Sequence, residues 1–404
     1  MAVSLPLFAK RSGRCLTPQA ERRATRHAAL HCWHRPFIRN AAPAARLTYP
    51  DADVTETLGC RKSTRKHPYP GRRSSKEPSR LGRKLKYAAA AIVAVAAAIY
   101  LNNTSLLATH AGGKPVLLAH RGMAQRFDER DLRNDTCTAA RMLPPSHDYL
   151  ENTIRSMRAS FDRGADIVEL DVHPTTDGEF AVFHDWTVDC RTDGQGVTRE
   201  QPMARLKMLD IGFGYTADGG KTFPFRGKGI GLMPSLDEVL KTFPDRRLLI
   251  NVKSRDPAEG EKLATVLNRL PTSRRKLIMV YGGDEPIEAI RRLAPETRTI
   301  SRATIKSCLV GYLGYGWTGI VPDACRNAIV LVPINYAPWL WGWPDRFLNR
   351  MAAANSAVFV LGPYQGGEFS TGVDDAEQFR RLPKNYSGGI WTNEIETIAR
   401  LTGR

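Results

Sequence analysis

The 404-residue sequence predicts an α/β fold, a TIM (β/α)₈ barrel with a long insert after strand 1 and an excursion after strand 3. Two observations support this prediction. After Lys114, short β-rich runs alternate with amphipathic stretches, as in a parallel sheet with crossover helices. Polar residues follow several of these runs where each strand should end, which is where barrels place their active sites.

Three regions precede or form this barrel. Residues 1–86 are rich in Arg, Ser, Pro and Ala without sustained periodicity, so we expect a basic disordered extension. Residues 87–108 form one hydrophobic segment, and we assign the barrel to residues 109–404.

Nine runs qualify as strands, so one of them should be peripheral to an eight-stranded barrel. They are Val116–His120, Asp166–Val172, Phe180–His184, Leu248–Lys253, Lys276–Tyr281, Thr297–Ser301, Ile329–Ile334, Ala357–Leu361 and Gly389–Thr392. Helical stretches between them include Asn152–Arg163, Ser235–Lys241 and Pro257–Arg269. Two connections, Met123–Leu150 and Asp185–Pro234, are long enough to carry function or small substructures.

The net charge of +18 does not indicate a nucleic-acid-binding protein. Residues 1–86 hold 20 Lys and Arg against 5 Asp and Glu, which leaves only +3 for the remaining chain. There is also no zinc-finger spacing and no interleaving of basic and aromatic residues. We therefore expect no nucleic-acid partner.

The hydrophobic segment is an uncharged run from Tyr87 to Leu101, extended with four polar interruptions to Ala108 and preceded by a basic flank. It fits a signal-peptide core or a single signal anchor, and an Ala-rich soluble helix is the plain alternative. In the first two cases the basic flank stays in the cytoplasm and the barrel is exported. We expect a cell-envelope protein, membrane-anchored through residues 87–108 or secreted, with its barrel on the periplasmic side.

Four of the seven cysteines lie in the barrel region, and their even number permits two disulfides after export. Cys308 and Cys325 lie 17 residues apart, and Cys137 and Cys190 fall in the two long connections. A bond between the latter two would pin the first insert to the loop after His184. Four buried thiols are the alternative.

The strand Ile167–Val172 carries two acidic residues on one face, because alternation puts Ile167, Glu169 and Asp171 together. Two carboxylates inside a barrel are costly unless a cation or a basic group balances them. Oxygen ligands at i and i+2 suit Mg²⁺ or Ca²⁺, and a salt-bridged surface pair is the alternative.

Two more strands run into histidines, His120 and His184. A lone histidine at a strand end is usually structural, but two beside an acidic pair suit proton transfer in both directions. Arg121 offers a planar fork that matches a phosphate. Asn251 and Lys253 share one face at the end of a fourth strand, and Lys253 adds a second cation for an anionic substrate.

These motifs together resemble the glycerophosphodiester phosphodiesterase family. The family order is present in His120-Arg121-Gly122, Glu151-Asn152-Thr153, Glu169-Leu170-Asp171-Val172, His184-Asp185 and Lys253. The similarity is good over about residues 116–253 and looser beyond, where Gly389–Asn393 resembles the family's last strand.

The resemblance implies a TIM barrel that binds one divalent cation, Ca²⁺ or Mg²⁺, and cleaves a small-molecule glycerophosphodiester to an alcohol and glycerol 3-phosphate. It makes His120 and His184 the acid–base pair, and Glu169 and Asp171 metal ligands. Arg121 and Lys253 would hold the phosphate. Glu151 would orient a neighbour or touch the metal.

Asn251 departs from the family, which usually has a Glu ligand at that position. An amide oxygen can still bind a cation, so Asn251 stays in the predicted metal set, with weaker binding or a different ion preference expected. A second departure is the long Met123–Leu150 insert, which should shape the leaving-group pocket.

Two other readings stay open. A phospholipase-D-like lyase acting on lysophospholipids or sphingolipids would share the same two-histidine, carboxylate–metal core. A catalytically inactive barrel could serve as an envelope binding module, and Asn251 invites that reading, whereas both histidines and both acidic ligands argue against it.

Overall fold

The computed structural model describes residues 79–110, 112–133, 135–366 and 371–404. The disorder expected for residues 1–78 lies outside this part of the chain.

The described residues form nine strands and eleven α-helices in an alternating order. The strands are β1 (Val116–Ala119), β2 (Ile167–Pro174), β3 (Phe180–Val182), β4 (Arg247–Val252), β5 (Ile278–Gly282), β6 (Arg298–Ser301), β7 (Ile329–Pro333), β8 (Ala357–Leu361) and β9 (Gly389–Thr392). The helices are α1 (Arg80–Asn103), α2 (Ile154–Asp162), α3 (Met203–Leu206), α4 (Leu236–Thr242), α5 (Pro257–Arg269), α6 (Thr272–Arg275), α7 (Asp284–Leu293), α8 (Arg302–Tyr315), α9 (Asp345–Ala353), α10 (Ala376–Arg380) and α11 (Ile395–Leu401).

Eight of the strands form a nearly closed parallel barrel in the order β6-β5-β4-β2-β1-β9-β8-β7. A single parallel bridge between Thr299 and Ala328 connects β6 with the segment that enters β7. The ninth strand, β3, pairs antiparallel with the end of β2. The predicted barrel with one peripheral strand is therefore confirmed.

Alternating side chains divide the barrel into an inner and an outer layer. Ile167 packs inside with Leu118, Leu249 and Trp391, whereas its neighbour Val168 packs outside, in the cluster that includes the helix residues. The face predicted to carry Glu169 and Asp171 is thus the interior face.

The two long connections pack on each other and form a small hydrophobic core of their own. Residues of the first, such as Met142 and Leu150, contact residues of the second, such as Leu206 and Tyr215. Cys137 and Cys190 form a disulfide between them, and Cys308 and Cys325 form a second one. Both predicted pairings are confirmed.

Helix α1 begins earlier than the hydrophobic segment predicted from sequence. The Ser79 hydroxyl accepts a hydrogen bond from Gly82 N at 3.2 Å and caps the first turn. Residues 80–86, assigned above to the disordered extension, are therefore helical, because Arg, Lys and Leu are good helix formers. Within the described residues, α1 alone is long and apolar enough to cross a membrane.

Candidate active site

The turn after β1 carries His120 and Arg121 into the mouth of the barrel. Arg121 adopts a left-handed backbone conformation with φ 58° and Gly122 follows with φ 75°. A Cβ on Gly122 would lie 2.6 Å from the Ser156 hydroxyl, so only glycine allows α2 to approach this closely. A left-handed arginine costs on the order of 1–3 kcal/mol, the kind of strain that clusters at functional sites.

The acidic strand β2 pairs with β4 in a register that places Asp171 beside Asn251. Asn251 Nδ2 donates to Asp171 Oδ1 at 2.8 Å, and Asn152 Nδ2 donates to Asp171 Oδ2 at 3.0 Å. Glu169 accepts from Tyr281 OH at 2.7 Å and from the backbone N of Arg121 at 2.9 Å. Both carboxylates are fully buried.

His184 reaches the mouth by a different route from the one the sequence indicated. It follows β3, which runs antiparallel to the barrel strands, so its position is not at the carboxyl end of a barrel strand. β2 extends past the barrel rim, turns, and returns as β3, and Phe183 N then donates to Asp171 O at 3.1 Å. The hairpin thereby brings His184 back to the level of the acidic pair.

Asn393 and Asp374 orient the His120 ring. Asn393 Nδ2 donates to Asp374 Oδ2 at 2.7 Å, which fixes the amide because a carboxylate only accepts. Asn393 Oδ1 therefore faces His120 Nδ1, 2.7 Å away, and that nitrogen carries the proton. His120 Nε2 is left with its lone pair, 3.2 Å from the donor Arg121 Nε.

A second set of contacts orients His184. Its Nδ1 donates to Asp185 Oδ1 at 2.7 Å, and Asp185 Oδ2 accepts from Arg191 Nε at 2.8 Å. His184 Nε2, also left with a lone pair, lies 3.0 Å from Lys253 Nζ. Both imidazoles thus present the same atom to the mouth.

Burial and nearby cations keep both imidazoles neutral. Burial, helped by Arg121, lowers the pKa of His120 to about 3. Burial, helped by Arg121 and Lys253, lowers the pKa of His184 to about 4. Each ring can therefore accept a proton at neutral pH.

Arg121 and Lys253 each lie near a different oxygen of Asp171. Arg121 Nε lies 3.3 Å and Lys253 Nζ 4.0 Å from the Asp171 carboxylate. Burial alone would raise the pKa of Asp171, but His184, Arg121 and Lys253 together hold it well below its usual range. Burial and the neighbouring Asp171 charge raise the pKa of Glu169 above its ordinary value.

Glu151 lies between two arginines. Its Oε1 is 3.1 Å from Arg121 Nη1, and its Oε2 is 3.0 Å from Arg191 Nη1. Burial would raise its pKa, but Arg191 and Arg121 lower it below the ordinary value. Of the two possibilities left open by the sequence, the geometry favours orientation of a neighbour over metal contact.

Glu169 and Asp171 fit a divalent cation by charge and by ligand type. They are buried oxygen donors, and burial together with the charge of Asp171 raises the pKa of Glu169. Asn251 uses its nitrogen toward Asp171, so its oxygen can act as a neutral third ligand. Within the described part of the chain, no three His, Cys, Asp or Glu side chains group as a metal site.

All eight residues predicted from the sequence converge at this mouth. The residues that sequence reasoning missed are those that hold them: Arg191, Tyr281, Asn393 and Asp374. Asn393 was visible only as part of a strand-end motif, and Arg191 had no local signal except its position next to Cys190.

Comparison with known proteins relates part of the barrel to a known family. Residues 120–285 match the model of the glycerophosphoryl diester phosphodiesterase family. This part of the chain is similar to that family.

Two curated relatives bear the family name. The chain is 31% identical over 153 residues to a glycerophosphodiester phosphodiesterase of Caldanaerobacter subterraneus, covering 37% of this chain and 59% of the relative. It is 34% identical over 125 residues to one of Bacillus subtilis, covering 30% of this chain and 41% of the relative. The chain thus spans about half the length of these curated relatives.

The crystal structure of the glycerophosphoryl diester phosphodiesterase domain of the Mycobacterium tuberculosis protein Rv2277c shares the fold. It covers 72% of this chain and 99% of its own chain, with a TM-score of 0.52 and 16% sequence identity. The barrel of this protein therefore has the fold of that domain.

Proposed function

We propose that the protein hydrolyses glycerophosphodiesters to an alcohol and glycerol 3-phosphate. The observation that carries this proposal is the convergence of two neutral imidazoles, each with its Nε2 lone pair at the mouth, on a buried acidic pair flanked by Arg121 and Lys253.

Arg121 and Lys253 would bind the phosphate of the substrate. Both side chains donate hydrogen bonds and accept none. Both also lie within 4.0 Å of Asp171 at the mouth. Their charges attract the phosphodiester monoanion and stabilise the negative charge that develops at phosphorus.

His120 and His184 would perform proton transfer. One Nε2 removes a proton from the nucleophile, which is water or the adjacent hydroxyl of the glycerol. The other imidazole is neutral in the free site, and the negative charge of the bound phosphodiester would favour its protonation. It then gives its proton to the leaving alkoxide, which is otherwise a poor leaving group near neutral pH. Water attack breaks the P–O bond to the alcohol and leaves glycerol 3-phosphate. Attack by the hydroxyl would give a cyclic phosphate first.

Glu169, Asp171 and the amide oxygen of Asn251 would hold a divalent cation. Such an ion supplies Lewis-acid neutralisation of a non-bridging phosphate oxygen. The missing third carboxylate favours weak binding, and Ca²⁺ and Mg²⁺ both suit this oxygen set.

Helix α1 would anchor the protein in the membrane of the cell envelope, with the barrel outside the cytoplasm. The helix has 24 residues and a mean hydropathy of 1.6 in its most apolar window, and its side chains are exposed to solvent. Its first two turns contain four basic residues, Arg80, Arg83, Lys84 and Lys86, which favours a cytoplasmic start.

An assay of the full-length protein against a panel of glycerophosphodiesters tests the function. The panel carries choline, ethanolamine, glycerol and inositol alcohols, and each reaction is run with chelator and with added Ca²⁺ or Mg²⁺. We expect glycerol 3-phosphate in the ³¹P NMR spectrum, loss of activity with EDTA and its restoration by the ion. A stable cyclic phosphate would support the lyase reading instead, and no turnover of any substrate would support the binding module.

A further inference from the structure

The end of helix α1 is fixed to the outside of the barrel by several polar contacts. Asn102 Nδ2 and Asn103 Nδ2 both donate to Trp317 O, at 2.9 and 2.7 Å. Arg350 on α9 donates to Asn102 O at 2.8 Å and to Asn103 Oδ1 at 3.0 Å. The membrane helix and the barrel are therefore joined directly, without a flexible linker at this point.

An apolar surface surrounds this junction. Val310 and Leu313 lie one turn apart on the outer side of α8, and Trp317 follows one turn later. We define the junction patch as six exposed residues of the two segments that meet here: Leu106, Leu107, Val310, Leu313, Trp317 and Ile320. Their exposed fractions run from 40% to 84%, which is high for large apolar side chains in contiguous segments.

Further contacts hold these segments together. The Ser105 hydroxyl donates to Gly342 O at 3.0 Å just before Leu106, and Trp341 Nε1 donates to Leu313 O at 2.9 Å. A Cβ on Gly319, next to Ile320, would lie 3.3 Å from Asn102. The disulfide between Cys308 and Cys325 closes the loop that carries most of the patch.

The charge of the junction patch suits a lipid surface. The 302–322 segment contains Arg302 and Lys306 but no Asp or Glu, and residues 104–109 contain no charged residue. The two basic residues are attracted to anionic headgroups, and no carboxylate of these two segments has to be desolvated when the apolar side chains enter the interface.

We propose that the junction patch lies on the membrane surface and docks the barrel against the bilayer. This inference rests on the proposed anchor: lipid must cover the exposed apolar sides of α1, and the patch begins where α1 ends. The bilayer is thus the occupant already adjacent to the patch. Trp317 and Tyr315 supply the aromatic side chains typical of the membrane interface.

Photo-crosslinking of the full-length protein in vesicles tests the docking. The photoreactive residue p-benzoylphenylalanine replaces Leu313 or Val310 in the patch, Ile92 in α1 as the positive control, and Met208 as the matched control. Met208 is 69% exposed and apolar, and it lies in the second connection, outside the patch. The vesicles contain phosphatidylcholine and phosphatidylglycerol with an alkyne-tagged acyl chain, and adducts are counted by mass spectrometry.

We expect lipid adducts at positions 92, 310 and 313 that exceed those at position 208 at least several-fold. Adducts at position 92 with positions 310 and 313 at the level of 208 would overturn the docking and leave the anchor intact. No adducts at position 92 would overturn the anchor and the docking with it. Turnover of glycerophosphocholine by each variant verifies that its barrel is folded. This control does not depend on whether the anchor or the patch contacts lipid.

Discussion

Arg191 Nε lies 2.8 Å from Asp185 Oδ2, and the other oxygen of that carboxylate holds the Nδ1 of His184. The same guanidinium contacts Glu151, Thr138 and Tyr215, and it is almost completely buried. It thus connects the loop after the β2–β3 hairpin to the first insert. Its position decides how His184 is aimed, although it need not touch the substrate.

Arg191→Met should reduce kcat about 10–100-fold while KM changes little, because a small misplacement of a catalytic group is costly and phosphate binding is retained. Steady-state kinetics on the best glycerophosphodiester measures both constants. Arg199→Met is the matched control, since Arg199 pairs with Glu259 away from the mouth. Equal kinetics for the two variants would contradict a positioning role.

Asn251→Glu should strengthen divalent-cation binding by at least about tenfold, because a third carboxylate adds negative charge to the Glu169–Asp171 pair. Isothermal titration of the chelator-treated protein with Ca²⁺ and with Mg²⁺ measures the affinity without reference to activity. Asn251→Gln keeps the amide and serves as the control. An unchanged affinity in Asn251→Glu would place the cation elsewhere.

Removal of either disulfide should lower stability, but only removal of Cys137–Cys190 should also lower kcat. Cys137→Ser/Cys190→Ser opens a 53-residue loop and should cost about 4 kcal/mol of unfolding free energy, with a fall in kcat because Arg191 follows Cys190. Cys308→Ser/Cys325→Ser opens a 17-residue loop and should cost about 3 kcal/mol. Its kcat should stay near wild type. Urea unfolding and kinetics of both variants check this, and equal kcat values would disconnect the first disulfide from the site.

The exchange Asn393→Asp/Asp374→Asn should move one limb of the pH–rate profile to higher pH. It keeps the amide–carboxylate hydrogen bond between the two positions but places the carboxylate beside Nδ1 of His120, which favours the charged imidazole and therefore raises its low pKa. A base must be neutral and an acid must be protonated. A shifted acid limb would make His120 the base, and a shifted basic limb would make it the acid. A profile that does not move would exclude His120 from proton transfer.

The sequence predicted the barrel well because its strands are short apolar runs separated by amphipathic stretches, and this pattern depends only on local periodicity. It also predicted Glu169 and Asp171 as interior residues, since alternation along β2 is a backbone property. His184 was predicted for the wrong reason, because the direction of β3 depends on which strand it pairs with. Arg191 and Asp374 could not be predicted, since their partners lie 6 to 53 and 18 to 19 residues away in the chain.

The beginning of α1 is another feature that the local sequence pattern did not predict. Its apolar run was evident, but the first turn is polar and depends on a cap at Ser79, which the hydrophobic pattern does not reveal. The junction with Arg350 joins positions almost 250 residues apart, and nothing in the local sequence at either end indicates it.

In the proposed mechanism His120 and His184 transfer the protons, and single alanine substitutions test this most directly. Turnover of a glycerophosphodiester by His120→Ala and by His184→Ala, each with circular dichroism to verify the fold, should fall by ~10²–10⁴-fold. General acid–base catalysis by these residues requires a much larger loss than tenfold. If both variants retain more than about a tenth of wild-type turnover, the two-imidazole mechanism is wrong.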